Sequence, residues 1–156
     1  MNWTISRTEF DHPDADQLRR AQRAELDARY GSDDHEPGTP PSADDVPVFL
    51  VARTSDDRPI ACGGLRPLAD DVAGPGSVEI KRMYVTPPAR GSGVAVTVLR
   101  ALEAAARDLG SRRVVLETGT LQPDAIRFYE REGYTSIALY GPYVGSAGSV
   151  CFARDL

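Results

Sequence analysis

The stretch that decides the fold is Lys81–Ala106, KRMYVTPPARGSGVAVTVLRALEAAA, in which a strand-like run leads through two prolines and a glycine-rich turn into a helix. No Asp or Glu occurs from Arg90 to Leu102, so the first acidic residue of the helix is Glu103. Helix N-termini favour negative charge. Either the helix dipole stays uncompensated, or an anion that is not part of the chain binds where the helix begins.

The composition is that of an ordinary globular protein, and we expect one domain over residues 1–156. The net charge of −5 argues against general nucleic-acid binding through a basic surface. No apolar run approaches the roughly 20 residues that span a bilayer, and the N-terminus does not resemble a signal peptide. We therefore expect a cytoplasmic protein without a membrane partner. Cys62 and Cys151 lie in apolar surroundings, and we expect buried free thiols.

Helix-like and strand-like patterns alternate along the chain. Apolar spacing predicts a helix over Asp14–Tyr30, and a long polar connection follows over residues 31–47. Further helices are predicted over Gly93–Leu109 and Pro123–Glu132. Strands are predicted for WTISRTEF, VFLVAR, PIACGGLRPL, Val78–Val85, RRVVLETG, TSIALYGPY and SVCFARDL. This order of elements predicts a mixed sheet with helices packed on its faces.

Three phosphate-binding motifs compete for the loop RGSGVAV, residues 90–96. The P-loop pattern fails because the only lysine of the chain is Lys81, upstream of the loop. The dinucleotide pattern GxGxxG is half matched, since Val96 stands where the third glycine belongs. The pattern [R/Q]xxGx[G/A] is filled by Arg90, Gly93 and Ala95.

This third pattern resembles the acyl-CoA-binding motif of the GNAT superfamily, the Gcn5-related N-acetyltransferases. The resemblance implies an α+β fold of three layers (α/β/α). Its mixed, mostly antiparallel sheet would splay between the fourth and fifth strands and have helices on both faces. It also implies acetyl-CoA as the cofactor, with the pyrophosphate held by loop amides and the helix N-terminus. The implied cofactor-binding residues are Met83, Tyr84, Val85, Arg90, Gly91, Ser92, Gly93, Val94, Ala95, Gln122 and Phe128.

The strand VEIKRMYV supports this resemblance through its hydrophobic pattern. Val78 and Ile80 share one face of a regular strand, but Met83 and Val85 are out of phase with them by one residue. A β-bulge between Ile80 and Met83 would return both pairs to the core. Members of the family have a bulge at this place, where free backbone groups bind the pantetheine arm. A slightly irregular ordinary strand is the alternative.

The segment LETGTLQPDAIRFYEREGY, residues 116–134, resembles the next signature of the family. Where relatives often carry an asparagine that contacts pantetheine, this chain has Gln122. The resemblance places Tyr129 beside the coenzyme sulfur, where it would serve as the general acid. Alternatively, one of Phe128 and Tyr129 packs inward and the other anchors the helix. The resemblance is strong over residues 46–135.

The resemblance also suggests a catalytic base, because some members carry a catalytic glutamate at the position of Glu79. A cross-strand ion pair of Glu79 with an arginine such as Arg66 or Arg82 is an equally good interpretation. Glu117 is a weaker candidate for the base. His35 is expected to be a solvated loop residue, and no standard metal site is expected.

By resemblance, the amine acceptor would contact the first helix, the loop after it and the last hairpin. The candidates are Glu25, Tyr30, Asp33, Asp34, Tyr140 and Tyr143, although a solvated loop and ordinary edge aromatics explain them equally well. The implied function is direct acetyl transfer to a primary amine of a small molecule or a peptide. An acyl-CoA-binding sensor without catalysis is the alternative, and a homodimer is left open.

Overall fold

The computed structural model describes residues 1–156, which form one seven-stranded sheet with the strand order β1-β2-β3-β4-β5-β7-β6. The strands are β1 (Trp3–Arg7), β2 (Val48–Thr54), β3 (Pro59–Pro67), β4 (Ser77–Val85), β5 (Arg113–Gly119), β6 (Thr135–Ile137) and β7 (Ser149–Asp155). The helices are α1 (Pro13–Tyr30), α2 (Asp70–Ala73), α3 (Val94–Asp108) and α4 (Pro123–Arg131). Two 3₁₀ turns lie at Pro87–Ala89 and Gly141–Tyr143.

The predicted elements are confirmed with small shifts of their ends, and two segments differ from the prediction. The short helix α2 lies in a segment that reads as turns, ADDVAGPGS. The segment TSIALYGPY is a strand only over Thr135–Ile137, after which the chain enters the 3₁₀ turn. Pro142 lies in that turn and has no backbone N–H, so it could not have extended a strand ladder there.

The sheet is mostly antiparallel, and its one parallel pair is β4 with β5. These two strands are paired only from Ser77 to Glu79, opposite Arg113 to Val115. Beyond that point both strands continue without a common ladder, to Val85 and Gly119. The expected splay between the fourth and fifth strands is therefore confirmed.

The expected bulge in β4 is also confirmed. Arg82 and Met83 together lie opposite the single residue Gly63 of β3, and Arg82 has a φ of 58°. The extra residue returns Met83 and Val85 to the face of the sheet that carries Ile80, and all three pack in one hydrophobic cluster.

The helices cover both faces of the sheet, as expected for three layers. On one face, α3 and α4 form a cluster of 19 buried residues together with the central strands. On the other face, α1 packs on a smaller cluster of eight buried residues that includes Phe49 and Leu18. Cys62 and Cys151 are buried free thiols, as predicted. No helix has the length and apolar character that crossing a membrane would require.

Candidate active site

The separation of β4 from β5 opens a cleft that holds two adjoining cavities. The inner pocket, of about 110 Å³, is lined by Glu36, Lys81, Arg82, Glu117, Tyr30 and His35. The outer groove, of about 240 Å³, is lined by Glu25, Tyr84, Val85, Arg90, Ala95 and Phe128. Residues that line both are Gln22, Leu26, Met83, Gln122, Ala125 and Tyr129. Two halves of one passage therefore meet at the end of α4.

The loop before α3 presents free backbone donors at one end of the outer groove. The amides of Gly91, Gly93, Ala95 and Val96 make no hydrogen bond within the chain. Gly93 is the N-cap of α3 in the left-handed region, with a φ of 92°, and the first turn contains no acidic residue. Free amides at a helix N-terminus without acidic neighbours fit the phosphates of coenzyme A.

Ser92 and Val94 hold the shape of this loop. The Ser92 hydroxyl donates to the Ala89 carbonyl at 2.6 Å and accepts from the Val94 amide at 3.4 Å. The Val94 side chain is buried in the core beneath α3. These two predicted cofactor residues thus support the loop through their side chains.

Arg90 lies in the outer groove but is paired with the protein itself. Its guanidinium donates to both carboxylate oxygens of Glu25, at 2.8 and 3.0 Å, and to the Val85 carbonyl at 3.0 Å. The Arg90 side chain is 45% exposed, so a phosphate could reach it from solvent. Glu25, which we expected near the acceptor, therefore lies on the cofactor side of the cleft.

Met83, Tyr84 and Val85 line the outer groove opposite Gln122 and Phe128, as the sequence predicted. Because β5 has already diverged, the edge of β4 beyond Glu79 has no strand partner on this side. Such unpaired backbone groups suit an extended amide-containing ligand such as the pantetheine arm. Two carbonyls of this segment are already paired, since those of Met83 and Val85 accept hydrogen bonds from Gln22 Nε2 at 2.9 Å and Arg90 Nε at 3.0 Å.

Tyr129 lies where the two cavities join. Its side chain is buried in edge-to-face contact with Phe128 and Tyr134, while its hydroxyl makes no hydrogen bond to another residue. Burial raises the pKa of the phenol above its ordinary value, so the hydroxyl keeps its proton at neutral pH. The arrangement leaves one protonated hydroxyl available to whatever occupies the cleft.

Glu79 does not line either cavity, which corrects the assignment of this residue as the base. Its side chain is 1% exposed and accepts hydrogen bonds from Tyr140 at 2.5 Å, from Tyr143 at 3.2 Å and from Arg66 at 3.1 Å. The buried ion pair with Arg66, the alternative interpretation, forms. Both carboxylate oxygens are therefore occupied by structural partners.

The acceptor candidates of the last hairpin are corrected for the same reason. Tyr140 and Tyr143 are 5% and 1% exposed, and both hydroxyls point at Glu79 instead of the cleft. Burial and the nearby Glu79 carboxylate raise the pKa of both phenols. Asp33 and Asp34 are exposed loop residues that do not line the inner pocket. Of the acceptor candidates, only Tyr30 lines it.

Glu117 is the carboxylate that faces the inner pocket. It accepts a hydrogen bond from the Ser149 hydroxyl at 2.7 Å, and burial raises its pKa above the ordinary value of 4.5. From the sequence we expected Glu117 to be a weaker candidate for the base than Glu79. The local pattern does not show which of the two strands directs its glutamate side chain into the cleft.

His35 is buried, which corrects the expectation of a solvated loop histidine. Its side chain is 5% exposed, its ring stacks on Tyr30 at 5.0 Å, and its Nε2 lies 2.7 Å from a carboxylate oxygen of Asp27. Tyr30 in turn packs so closely on Gly119 that a Cβ there would collide with its hydroxyl. The end of α1 and the following loop therefore form the roof of the inner pocket.

Glu36, in the same loop, lines the pocket and forms ion pairs with three basic side chains. Its carboxylate lies 3.0 Å from Lys81 Nζ, 2.9 Å from Arg82 Nη1 and 3.4 Å from Arg23 Nη1. Burial alone would raise its pKa, but these cations hold the pKa below the ordinary value. No local sequence pattern marks Glu36, Lys81 or Arg82 as pocket residues. The structure contains no group of three or more His, Cys, Asp or Glu side chains that could bind a metal ion.

Comparison with known proteins agrees with this geometry. The family model described as "Acetyltransferase (GNAT) family" matches residues 10–134. An IAA acetyltransferase of Azospirillum brasilense is 39% identical over 95 residues, which are 61% of this chain and 59% of that protein. The solved structure of a Klebsiella pneumoniae protein assigned as an acyl-CoA N-acyltransferase is 29% identical, with a TM-score of 0.81 over 99% of this chain and 97% of that one.

A GNAT family acetyltransferase from Elizabethkingia anophelis, solved with acetyl-CoA bound, has a TM-score of 0.71 at 15% identity over 99% of both chains. Acetyl-CoA is the acetyl donor of this family. The first curated relatives are matched over 59%, 55% and 34% of their own length. Because this family model matches most of the chain, the protein belongs to the GNAT acetyltransferase family.

Proposed function

We propose that the protein is an acetyl-CoA-dependent N-acetyltransferase that acetylates a primary amine of a small molecule or peptide by direct transfer. The observation that carries this proposal is the continuous cleft between β4 and β5. It runs from the free amides at the N-terminus of α3 to the unpaired hydroxyl of Tyr129, and then to the carboxylate of Glu117. The proposed acetyl-CoA site, the proposed proton donor Tyr129 and the proposed proton acceptor Glu117 thus line one passage.

The binding role falls to the loop and the edge of β4. The amides of Gly91, Gly93 and Ala95 would hold the pyrophosphate of acetyl-CoA, and Arg90 would add a cationic contact in exchange for Glu25. The unpaired edge of β4 at Met83–Val85 would bind the pantetheine arm. When bound, acetyl-CoA supplies an acetyl group activated as a thioester.

Tyr129 is the proposed general acid. A thiolate that leaves the acyl group needs a proton, and the phenol of Tyr129 carries one at the junction of the cavities. Because burial raises its pKa, the phenol stays protonated until the thiolate departs, and the proton passes to the sulfur as the C–S bond breaks. Its hydroxyl has no other partner that would hold the proton back.

Glu117 is the proposed base. An alkylamine has a pKa near ~10 and is almost fully protonated at neutral pH, so it must lose a proton before it attacks. The carboxylate of Glu117 lines the pocket and is made more basic by burial, which suits a proton acceptor. Glu79 is proposed to keep a structural role through Arg66, Tyr140 and Tyr143.

Calorimetric titration with acetyl-CoA, with NAD and ATP as controls, followed by a thiol-release assay on an amine panel, tests the proposal. Micromolar binding of acetyl-CoA and amine-dependent thiol release are expected. Binding without release from any amine would favour the acyl-CoA-binding sensor, an alternative that the small volume of the inner pocket keeps open. No binding of acetyl-CoA would refute both.

A further inference from the structure

We propose that the acceptor amine also carries a carboxylate, so that the substrate is an amino-acid-like zwitterion whose carboxylate is bound by Lys81 and Arg82. This inference rests on the proposed function and names the substrate class of the same site. It comes from the charges that line the inner pocket and from the hydrogen-bond donors that they leave unused.

Of the two carboxylates that line the inner pocket, Glu36 and Glu117, only Glu36 forms ion pairs with the two buried cations. Lys81 and Arg82 have side chains that are 8% and 14% exposed, and the single carboxylate of Glu36 is shared between them and Arg23. Charged side chains at this depth require partners of opposite charge, because burial removes their hydration. A second carboxylate would complete the pairing.

Unused donors point to the same ligand. The guanidinium of Arg82 has one polar partner in the protein, the Glu36 carboxylate at 2.9 Å from Nη1, so its other N–H groups have no acceptor. The ammonium of Lys81 donates to Glu36 at 3.0 Å and to Tyr143 at 3.2 Å, which leaves one of its three N–H groups free. A planar carboxylate is the ligand that best uses such donors.

The strand register places these cations beside the proposed base. Glu79 of β4 lies opposite Val115 of β5, so Lys81 and Glu117 occupy the next equivalent positions on the same face of the two diverging strands. Both side chains line the inner pocket together with Tyr129. An amine near Glu117 and a carboxylate near Lys81 match the two charges of one small zwitterion. A diamine would instead bring a second positive charge to Lys81 and Arg82.

Matched amines test the inference on the wild-type protein. Each of the common L-amino acids is compared with its carboxamide and its decarboxylated amine in the thiol-release assay at saturating acetyl-CoA. At least one amino acid is expected to show a kcat/KM roughly ten- to a hundredfold higher than its two analogues, which keep the amine but lack the carboxylate, the effect of about one charge-assisted hydrogen bond. Equal or faster acetylation of the analogues would overturn the inference and leave the N-acetyltransferase function standing.

The other outcomes are also decisive. Acetyl-CoA binding with no thiol release from any amino acid would overturn the proposed acceptor class. No binding of acetyl-CoA would refute the proposed function itself, so the two failures are distinguishable.

The variant Arg82→Gln adds a residue-level test. It is expected to raise the KM for the preferred amino acid roughly tenfold or more, with little change in the KM for its carboxamide or in acetyl-CoA affinity. Arg23→Gln is the matched control, because Arg23 also pairs with Glu36 but does not line the inner pocket. An equal rise in KM in both variants would show that Arg82 acts only by holding Glu36, against the inference.

Discussion

At the scale of single residues, the cleft depends on side chains that the protein leaves partly or wholly unpaired. The Tyr129 hydroxyl makes no internal hydrogen bond, and the largely buried Arg82 guanidinium has only the Glu36 carboxylate as a partner. Buried polar groups are normally satisfied, so groups that are not mark a place where a ligand completes the structure. Glu79 is the contrasting case, since three neighbouring side chains satisfy it.

Tyr129→Phe is expected to lower kcat roughly a hundredfold and leave the Kd for acetyl-CoA nearly unchanged, because it removes a proton donor and keeps the ring. Thiol release and calorimetry measure the two quantities. Tyr134→Phe is the matched control. The Tyr134 hydroxyl donates to the Glu103 carboxylate at 2.7 Å and does not face the cleft. A fully active Tyr129→Phe variant would show that the hydroxyl has no catalytic role.

Glu117→Gln is expected to reduce kcat/KM roughly a hundredfold and to change the pH profile. A base works only when deprotonated, so wild-type activity should fall as the pH drops through the raised pKa of Glu117. The variant has no carboxyl group to titrate, and this acidic limb should disappear from its pH–rate profile. If the limb persists in Glu117→Gln, then a different group or bulk water accepts the proton.

At the scale of elements, the loop and first turn of α3 have a composition that suits a ligand more than the helix itself. A helix gains stability from acidic residues in its first turn, and α3 has none there. The proposed phosphate site accounts for both the free amides of the loop and the first turn without acidic residues. Helix α3 is therefore less stable without a bound anion than it would be with an acidic residue in its first turn.

Ala95→Asp is expected to have opposite effects on stability and on binding. An acid in the first turn of α3 should stabilise the fold by about 0.3–1 kcal/mol through the helix dipole. The same charge lies in the outer groove and should weaken acetyl-CoA binding at least tenfold by repelling the phosphates. Thermal unfolding and calorimetry measure both, with Ala95→Asn as the uncharged control. Unweakened binding would place the phosphates elsewhere.

At the scale of the whole molecule, the two faces of the sheet have separate tasks. One face of β4 packs Val78 and Ile80 under α3, while the opposite face carries Glu79 and Lys81. Glu79 connects β4 to Arg66 of β3 and to the tyrosines of the last 3₁₀ turn. This buried network joins segments from three parts of the chain and supports the floor of the cleft.

Glu79→Gln is therefore expected to cost stability. Loss of the buried charge leaves Arg66 without its main partner and should cost about 3 kcal/mol, or roughly 6–12 °C in Tm. Asp45→Asn is the control, because Asp45 also pairs with Arg66, at 3.3 Å, but is 42% exposed. That change should cost under about 1 kcal/mol. A Glu79→Gln protein of unchanged Tm that has lost the acidic limb of its pH–rate profile would restore Glu79 as the base.

The splay of the sheet was implied by the resemblance to the GNAT family, whereas the sequence alone determined most of the elements, the bulge in β4 and the loop at α3. Each is encoded locally: apolar periodicity assigns strands and helices, a one-residue phase shift indicates a bulge, and glycines with no nearby acids indicate an anion site. These features need no knowledge of distant contacts.

Only the tertiary structure decided which charged side chains face the cleft. Glu79 and Glu117 both lie on strands at the splay, but Arg66 and the two hairpin tyrosines enclose the first and leave the second free. Glu36 and His35 reach the pocket because the loop after α1 folds back over it. The physical reason is that the partner of a buried charge comes from a remote part of the chain, and no local pattern specifies that partner.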